Sequence, residues 1–273
     1  MLESKAPICI GGVGGSGTRL FAQILALFSV YMGSTINDTD DNLWFSLLFK
    51  RKETLDLSYH KFNVLFNIFK SAMTNSDIRN DNYINIVNSI FKENQKQDYL
   101  YDKKWAYKSL LNVLENGSTM NVCEWGWKEP NTHIILPYLL KRYKTLKYIH
   151  VMRNGLDMAF SKNQNQLKFW TDKKYTPKNS LEYWIIVHKK IFDLQKKHPK
   201  NIFIVDYDNF CLKPNTEIPK LLHFLQIKSN PSIVKKIKSM IHQPDTVGRY
   251  KNYDLNQFSS KQLQFMKDIR YLP

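Results

Sequence analysis

The sequence Ile8-Cys9-Ile10-Gly11-Gly12-Val13-Gly14-Gly15-Ser16-Gly17-Thr18-Arg19-Leu20-Phe21 is an apolar run that breaks into glycines and continues in a helical pattern. Gly12 and Gly17 have the G-x-x-x-x-G spacing of a P-loop, but Thr18 stands where a P-loop has lysine. Glycines allow a tight turn with inward-pointing N–H groups, and the N-terminus of the following helix attracts anions. The stretch predicts a strand, a phosphate-binding loop and a helix. Because that lysine is missing, the identity of the bound nucleotide stays open. The alternative to a phosphate-binding loop is a glycine-rich turn that binds no ligand.

The rest of the chain continues this alternation of strands and helices. Apolar runs predict further strands at 30–33, 121–127, 147–152 and 201–205. Amphipathic patterns predict helices at 18–28, 132–141, 156–162, 180–197, 214–225, 232–241 and 259–271. From 42 to 115 the pattern is helical throughout. The sequence therefore predicts an α/β fold, with a P-loop-like, mostly parallel sheet flanked by helices. We expect a single domain over 1–273, with a helical insertion at about 42–118.

The chain is strongly basic, with 40 Lys and Arg against 24 Asp and Glu and a formal net charge of +16. Such an excess favours polyanionic partners: a nucleotide, a nucleic acid, an acidic glycan or peptide, or an anionic membrane. The basic residues are dispersed and no nucleic-acid recognition signature is visible, so we expect no nucleic-acid partner.

The cysteines and the apolar runs bear on the compartment. Cys9, Cys123 and Cys211 are far apart and odd in number, which predicts buried free thiols in a reducing compartment. No signal segment precedes the glycine-rich loop, and no run reaches the roughly 18 apolar residues that span a bilayer. We therefore expect a cytoplasmic protein without a membrane span. A lumenal catalytic domain trimmed of its anchor would share these features.

Two further stretches place charged residues at predicted strand ends, and a third lies near the C-terminus. Lys128 is followed by Glu129-Pro130, and Arg153 is followed eight residues later by Ser161. A guanidinium after a strand and a hydroxyl two helical turns on can converge on one phosphate. The alternative for Arg153 is an ion pair with Asp157. The third stretch is the basic turn 246–251 near the C-terminus.

An acidic loop follows the predicted strand at 30–33 and contains Asp38, Asp40 and Asp41. Open parallel sheets bind their ligands beyond the carboxyl ends of the strands, where this loop would lie. A solvated loop that caps the next helix is the alternative interpretation.

Together these stretches resemble the sulfotransferases that use 3′-phosphoadenosine 5′-phosphosulfate (PAPS), including the tyrosylprotein and carbohydrate branches. The residues similar to the family's 5′-phosphosulfate loop are Gly14, Gly15, Ser16, Gly17, Thr18, Arg19 and Leu20. Gly15 stands where many members have Lys or Arg, and Arg19 is the candidate to supply that charge. Arg153 and Ser161 resemble the 3′-phosphate motif, and Lys128-Glu129-Pro130 is like the Lys-(Asp/Glu)-Pro motif of the tyrosylprotein branch.

The resemblance implies transfer of a sulfuryl group from PAPS to a hydroxyl of a carbohydrate, peptide or small molecule, with 3′-phosphoadenosine 5′-phosphate (PAP) as product and no metal. Lys128 and Arg19 would face the developing charge, and Asp41, then Asp38, would be the general base. The residues expected to close over the 3′-phosphoadenosine are Arg249, Tyr250 and Lys251. His133 and His150 are alternative bases, and the positive charge favours an acidic glycan or peptide as acceptor.

Two rival functions remain at this point. A P-loop kinase that uses ATP and Mg²⁺ shares the strand-loop-helix opening, but it would have Lys in place of Thr18 and a strand-end carboxylate such as Asp206. A polyanion-binding module without catalysis would explain the charge alone.

Overall fold

Four parallel strands form the central sheet of the computed structural model, in the order β2-β1-β3-β4. They are β1 (Ile8–Gly12), β2 (Gly126–Lys128), β3 (Lys147–Met152) and β4 (Ile202–Asp206). The structure describes residues 6–94, 100–117, 122, 124–228 and 230–272. Because the chain passes from β2 on one side of β1 to β3 on the other, the strand order reverses at β1. Such a reversal leaves a crevice beyond the carboxyl ends of the strands, where α/β proteins bind ligands.

Helices make up most of the remaining described chain. They are α1 (Thr18–Ala26), α2 (Leu43–Phe49), α3 (Tyr59–Thr74), α4 (Asp81–Asn94), α5 (Leu100–Asn116), α6 (Leu136–Arg142), α7 (Gly155–Ala159), α8 (Asn165–Trp170), α9 (Pro177–Lys197), α10 (Tyr207–Leu212), α11 (Pro214–Leu225), α12 (Pro231–Met240) and α13 (Ser260–Asp268). Single 3₁₀ turns lie at Lys52–Thr54, Pro130–Ile134 and Arg249–Asn252. None of the described helices combines the length and the apolar character needed to cross a bilayer.

Side chains of successive strand residues point to opposite faces of the sheet, and both faces are covered. Cys9, Trp127 and Tyr148 belong to one buried cluster, which also contains residues of α2, α3 and α5. Ile10 and Ile149 belong to the cluster on the other face, which contains residues of α1 and α11. This two-sided burial explains why the strands appear in the sequence as short, nearly continuous apolar runs.

Helices α2 to α5 occupy the stretch for which the sequence predicts a helical insertion, and they pack on the sheet through aromatic side chains. The ring of Phe45 stacks on Trp127 with a centroid distance of 5.6 Å, and Phe69 meets the same indole edge-on at 5.1 Å. The helical region thereby shares its core with β2, next to the crevice.

The main differences from the sequence prediction are local. Only one residue of the strand predicted at 30–33 pairs, since Tyr31 forms a single bridge with Trp125. The short helices α8 and α10 were not predicted. Cys9 and Cys211 are buried free thiols, as expected, whereas Cys123 lies outside the described residues.

Candidate active site

The glycine-rich loop joins the carboxyl end of β1 to the N-terminus of α1. Gly17 precedes the helix with φ of +93°, a conformation that side chains rarely adopt, and a Cβ added there would collide with the ring of Tyr207. The first turn of α1 contains no acidic residue, so no carboxylate from that turn neutralises its positive end. The first N–H groups of a helix have no partner within the helix and are suited to an anion.

A cavity of about 330 Å³ opens at this loop. Among its walls are Gly14, Gly15, Gly17, Thr18 and Arg19 from the loop and the first turn of α1. The opposite walls are formed by residues of four other segments, namely Thr39, Asp41, Lys50, Lys128, Glu129, Pro130, Asn131, Asn163, Asn165 and Gln166. The cavity therefore combines the glycine-rich loop with three cationic side chains, those of Arg19, Lys50 and Lys128.

Lys128 and Asp41 form an ion pair in the wall of this cavity. The Lys128 ammonium donates to the Asp41 carboxylate and, at 2.7 Å, to the carbonyl oxygen of Thr39. Lys128 is 3% exposed, whereas 21% of the Asp41 side chain is accessible. The lysine is thus fixed in position while the carboxylate is reachable from the cavity.

A network of amide groups holds Asp41 against the end of β2. Asn42 donates its backbone N–H to the carbonyl of Lys128 at 2.8 Å, and its side chain caps α2 by accepting from Phe45 N–H. The Asn37 side chain accepts the backbone N–H of Asp41 at 2.9 Å and donates to the Asp41 carboxylate at 3.3 Å. The acidic loop is therefore a built part of the site as well as the cap of a helix.

Glu129 is a second carboxylate at the same strand end, and it is fully buried. Its oxygens accept the backbone and side-chain N–H groups of Asn131 at 2.6 and 2.8 Å. The pKa of Glu129 is raised to about 7: burial raises it most, the charge of Lys50 lowers it, the charge of Asp41 raises it, and the hydrogen bonds from Asn131 lower it. The two carboxylates therefore differ in environment, since Asp41 is paired with a lysine and Glu129 is shielded from water.

The other candidate bases lie elsewhere. Asp38 lines a neighbouring cavity together with Trp105 and does not line the cavity at the loop. His133 and His150 are buried beneath the site, and burial lowers the pKa of both, that of His133 to about 4. Of the four candidates, Asp41 alone lines the cavity that contains Lys128.

Arg153 is held by protein groups at the carboxyl end of β3. Its guanidinium donates to Asp208 at 3.2 Å and to the Thr246 hydroxyl at 2.8 Å, and it lies 5.6 Å from the centre of the Tyr207 ring. Arg153 therefore forms an ion pair with Asp208 and not with Asp157, the partner that the sequence offered as the alternative. Since Tyr207 also abuts Gly17, it lies between the glycine-rich loop and Arg153.

The basic turn near the C-terminus is fastened to α7 through Asp157. This carboxylate accepts the backbone N–H groups of Gly248 and Tyr250 at 2.8 and 2.9 Å. Arg249 donates to the carbonyl of Phe160 at 3.2 Å. Gly248, Tyr250 and Lys251 line a separate cavity of about 270 Å³ that also contains three aspartates, Asp157, Asp206 and Asp208.

Three predicted site residues, Ser161, Ser16 and Leu20, do not line the cavity at the loop. Ser161 accepts the backbone N–H of Asn163 at 3.2 Å and lines neither of these cavities. Ser16 and Leu20 are buried behind the loop and support it from within.

Several cavity residues were not foreseen from the sequence. Lys50 follows the last residue of α2, and Asn163, Asn165 and Gln166 belong to α8 and the turn before it. The Gln166 side chain donates to the carbonyl of Gly12 at 3.3 Å and so ties α8 to the loop. These residues belong to no motif, and only tertiary packing brings them to the site. Within the described ranges, no group of three or more His, Cys, Asp or Glu is arranged to hold a metal ion.

Comparison with known proteins gave one family. Residues 7–231 match the model of the Sulfotransferase family. Among solved structures, the sulfotransferase domain from the curacin biosynthetic pathway has a TM-score of 0.55 and 14% identity, over 98% of this chain and 99% of that chain. The sulfotransferase domain of the Synechococcus PCC 7002 olefin synthase has a TM-score of 0.53 and 14% identity, over 99% and 98%. At such identities the likeness concerns the fold. Comparison with curated protein sequences gave no match.

Proposed function

Because the chain belongs to the sulfotransferase family, whose members use PAPS as donor, we propose that it transfers a sulfuryl group from PAPS to an acceptor hydroxyl at the glycine-rich loop. The observation that carries this proposal is the Lys128–Asp41 ion pair, which lines the same cavity as Gly14, Gly17 and Arg19. Sulfuryl transfer needs a cradle for the donor phosphate, cations for the developing negative charge and a base for the acceptor proton. Each of these groups has a candidate in this cavity.

The loop and the first turn of α1 would hold the 5′-phosphate end of the donor. The glycines allow the backbone N–H groups to approach an anion closely, and Thr18 and Arg19 add a hydroxyl and a guanidinium. PAPS supplies the sulfuryl group itself, whose bond to the phosphate oxygen breaks as a new bond to the acceptor oxygen forms. In our proposal Lys128, with Arg19, stabilises the negative charge that this exchange places on the oxygens.

Asp41 would accept the proton of the acceptor hydroxyl. Its carboxylate is accessible from the cavity and is oriented by Lys128, Thr39 and Asn37, so it needs little reorganisation. The same ion pair links proton removal with charge stabilisation, since Lys128 contacts the base directly.

The other end of the donor would extend past Tyr207 toward Arg153, and Ser161, Arg249, Tyr250 and Lys251 are the further residues proposed there. Arg153 grips anions well because its planar fork makes two hydrogen bonds at once. In the structure it contacts Asp208 and Thr246. Binding of a 3′-phosphate would therefore exchange or extend these contacts.

A thermal-shift experiment tests the proposal. PAP should raise the melting temperature in the presence of EDTA, because a ligand that binds only the folded state stabilises it. Stabilisation by ATP with Mg²⁺ but not by PAP would favour the kinase alternative instead. Asp206, which that alternative requires near the phosphates, lines the 270 Å³ cavity and not the cavity at the loop.

A further inference from the structure

A second cavity, of about 170 Å³, adjoins the cavity at the loop. The two cavities share Asp41, Lys50 and Asn165 in their walls. A molecule that fills the second cavity can thus present one end to Asp41, which is the proposed base. This position suits an acceptor, since its hydroxyl must reach the base from the side opposite the donor.

The lining of the second cavity is partly apolar. Leu43 and Leu47 come from α2, Ala106 from α5 and Phe169 from α8. Apolar walls of this kind favour burial of a hydrocarbon or aromatic body. The helical insertion therefore forms much of the second cavity, whereas β1 and the loop form the first.

The second cavity also contains two lysines from different helical segments. Lys50 follows the last residue of α2, and Lys103 lies in the first turn of α5. Burial, and after it the charges of Lys50 and Arg51, lowers the pKa of Lys103. Within the part of the chain that the structure describes, Asp41 is the one acidic residue in this lining, and its charge is paired with Lys128. The described residues therefore bring more positive than negative charge to this cavity.

We propose that the second cavity is the acceptor subsite and selects hydroxyl compounds with an apolar body and an anionic group, the anion lying near Lys50 and Lys103. This inference rests on the proposed sulfuryl transfer and specifies its acceptor. The acceptor oxygen forms the new bond to sulfur, its proton passes to Asp41, and the bonding pair of the broken bond stays on the phosphate oxygen.

Two probes of nearly equal shape test the role of charge: 4-hydroxyphenylacetate and its neutral amide, 4-hydroxyphenylacetamide. Transfer from labelled PAPS should be about tenfold more efficient in kcat/KM for the acid, as expected for one charge-assisted hydrogen bond. Lys103→Gln should reduce that ratio toward one, and Lys103→Glu should reverse it. Lys104→Gln is the matched control, because Lys104 is the exposed neighbour on the same helix.

The readouts separate this inference from the proposed function. Lys103 does not line the cavity at the loop, so Lys103→Gln should leave the PAP-induced rise in melting temperature unchanged. Equal kcat/KM for acid and amide would overturn the acceptor assignment while leaving sulfuryl transfer intact. Weaker binding of PAP by Lys103→Gln would show that this lysine contacts the donor, and this result would also overturn the acceptor assignment.

Binding of the two probes is measured as well, by calorimetry with and without PAP. Tighter binding of the acid, lost in Lys103→Gln, would support the subsite even if neither probe is sulfated. Absent or equal binding of both probes would overturn it. Failure of PAP to bind would count against the proposed function alone.

Discussion

The two ends of the candidate nucleotide site differ in how their charged groups are held. At the glycine-rich loop, Arg19, Lys50 and Lys128 line an open cavity. At the end of β3, Arg153 is 9% exposed and is already bound to Asp208. Lys128 is also buried and paired, but its partner Asp41 lines the same cavity, whereas Asp208, the partner of Arg153, lines a separate one. Preorganised cations in the wall of a cavity can stabilise charge that develops there. In the proposed function, the chemical step would therefore take place at the loop end, and the β3 end would anchor the donor.

The largest effect is expected from loss of the base. Asp41→Asn removes the proton acceptor and should lower kcat about 10²–10⁴-fold, the usual contribution of general base catalysis. Asp38→Asn is the paired variant, because Asp38 lines a different cavity, and it should change kcat little. Steady-state kinetics with labelled PAPS measures both. A loss of turnover in Asp38→Asn alone would transfer the role to Asp38.

A somewhat smaller effect is expected at Lys128. Lys128→Ala should lower kcat by about 10²–10³-fold, as does removal of one preorganised donor from a developing charge in other enzymes. The affinity for PAP should change much less, because the loop and Arg19 still hold the phosphate. Calorimetric PAP binding beside turnover distinguishes these effects, and a loss confined to binding would make Lys128 an anchoring residue only.

At the other end of the site, the effect should appear in binding. Arg153→Ala should weaken PAP binding about tenfold to a hundredfold, since hydrogen bonds to charged groups contribute about 1.5–3 kcal/mol. It also leaves the buried carboxylate of Asp208 without its cation, so the melting temperature of the free protein is the control. Thr246→Val removes one hydrogen bond and should have the smaller effect. Unchanged PAP affinity in Arg153→Ala would make this end purely structural.

The last expected effect is on stability and not on turnover, and it concerns Glu129, the buried carboxylate that follows Lys128. Because the pKa of Glu129 is raised, mainly by burial, from 4.5 to about 7, the folded state binds the proton more tightly, and this favourable contribution is lost as the pH rises from 4.5 through 7. Relative to the wild type, Glu129→Gln should gain up to about 1.4 kcal/mol of unfolding free energy per pH unit over this range.

Urea unfolding of both proteins between pH 4.5 and 8 measures the difference. The buried His133, His150 and His188 have lowered pKa values and destabilise both proteins in the same sense as the pH falls below 6.5. The difference between the unfolding free energies of the two proteins at each pH therefore isolates the contribution of Glu129. Parallel pH profiles would mean that Glu129 remains ionised in the fold.

Local sequence patterns account for the sheet and much of the loop end. The apolar run before Gly12 and the glycines after it identify β1 and its loop, because both depend on residues adjacent in sequence. The proximity of Lys128 to this loop follows from parallel topology, since strand carboxyl ends share one edge. The ion pair with Asp41 required tertiary structure, because Asn42 binds the backbone of Lys128 across the crevice.

The remaining contacts depend on packing between distant segments. Lys50 and Gln166 reach the cavity from α2 and α8, and neither helix has a motif that points to a nucleotide. Arg153 pairs with Asp208 because Asp157 is occupied by the backbone of Gly248 and Tyr250. Sequence spacing made Asp157 the nearer partner, and only the position of the C-terminal turn excludes it.

The most direct test of the account is transfer of ³⁵S from labelled PAPS in the presence of EDTA, with wild type, Asp41→Asn and Lys128→Ala assayed together. Over a panel of phenols, hydroxy acids, sugars and peptides, we expect a sulfated product from the wild type and strongly reduced product from both variants. The account would be contradicted if either variant, folded and bound to PAP, transferred the label as fast as the wild type.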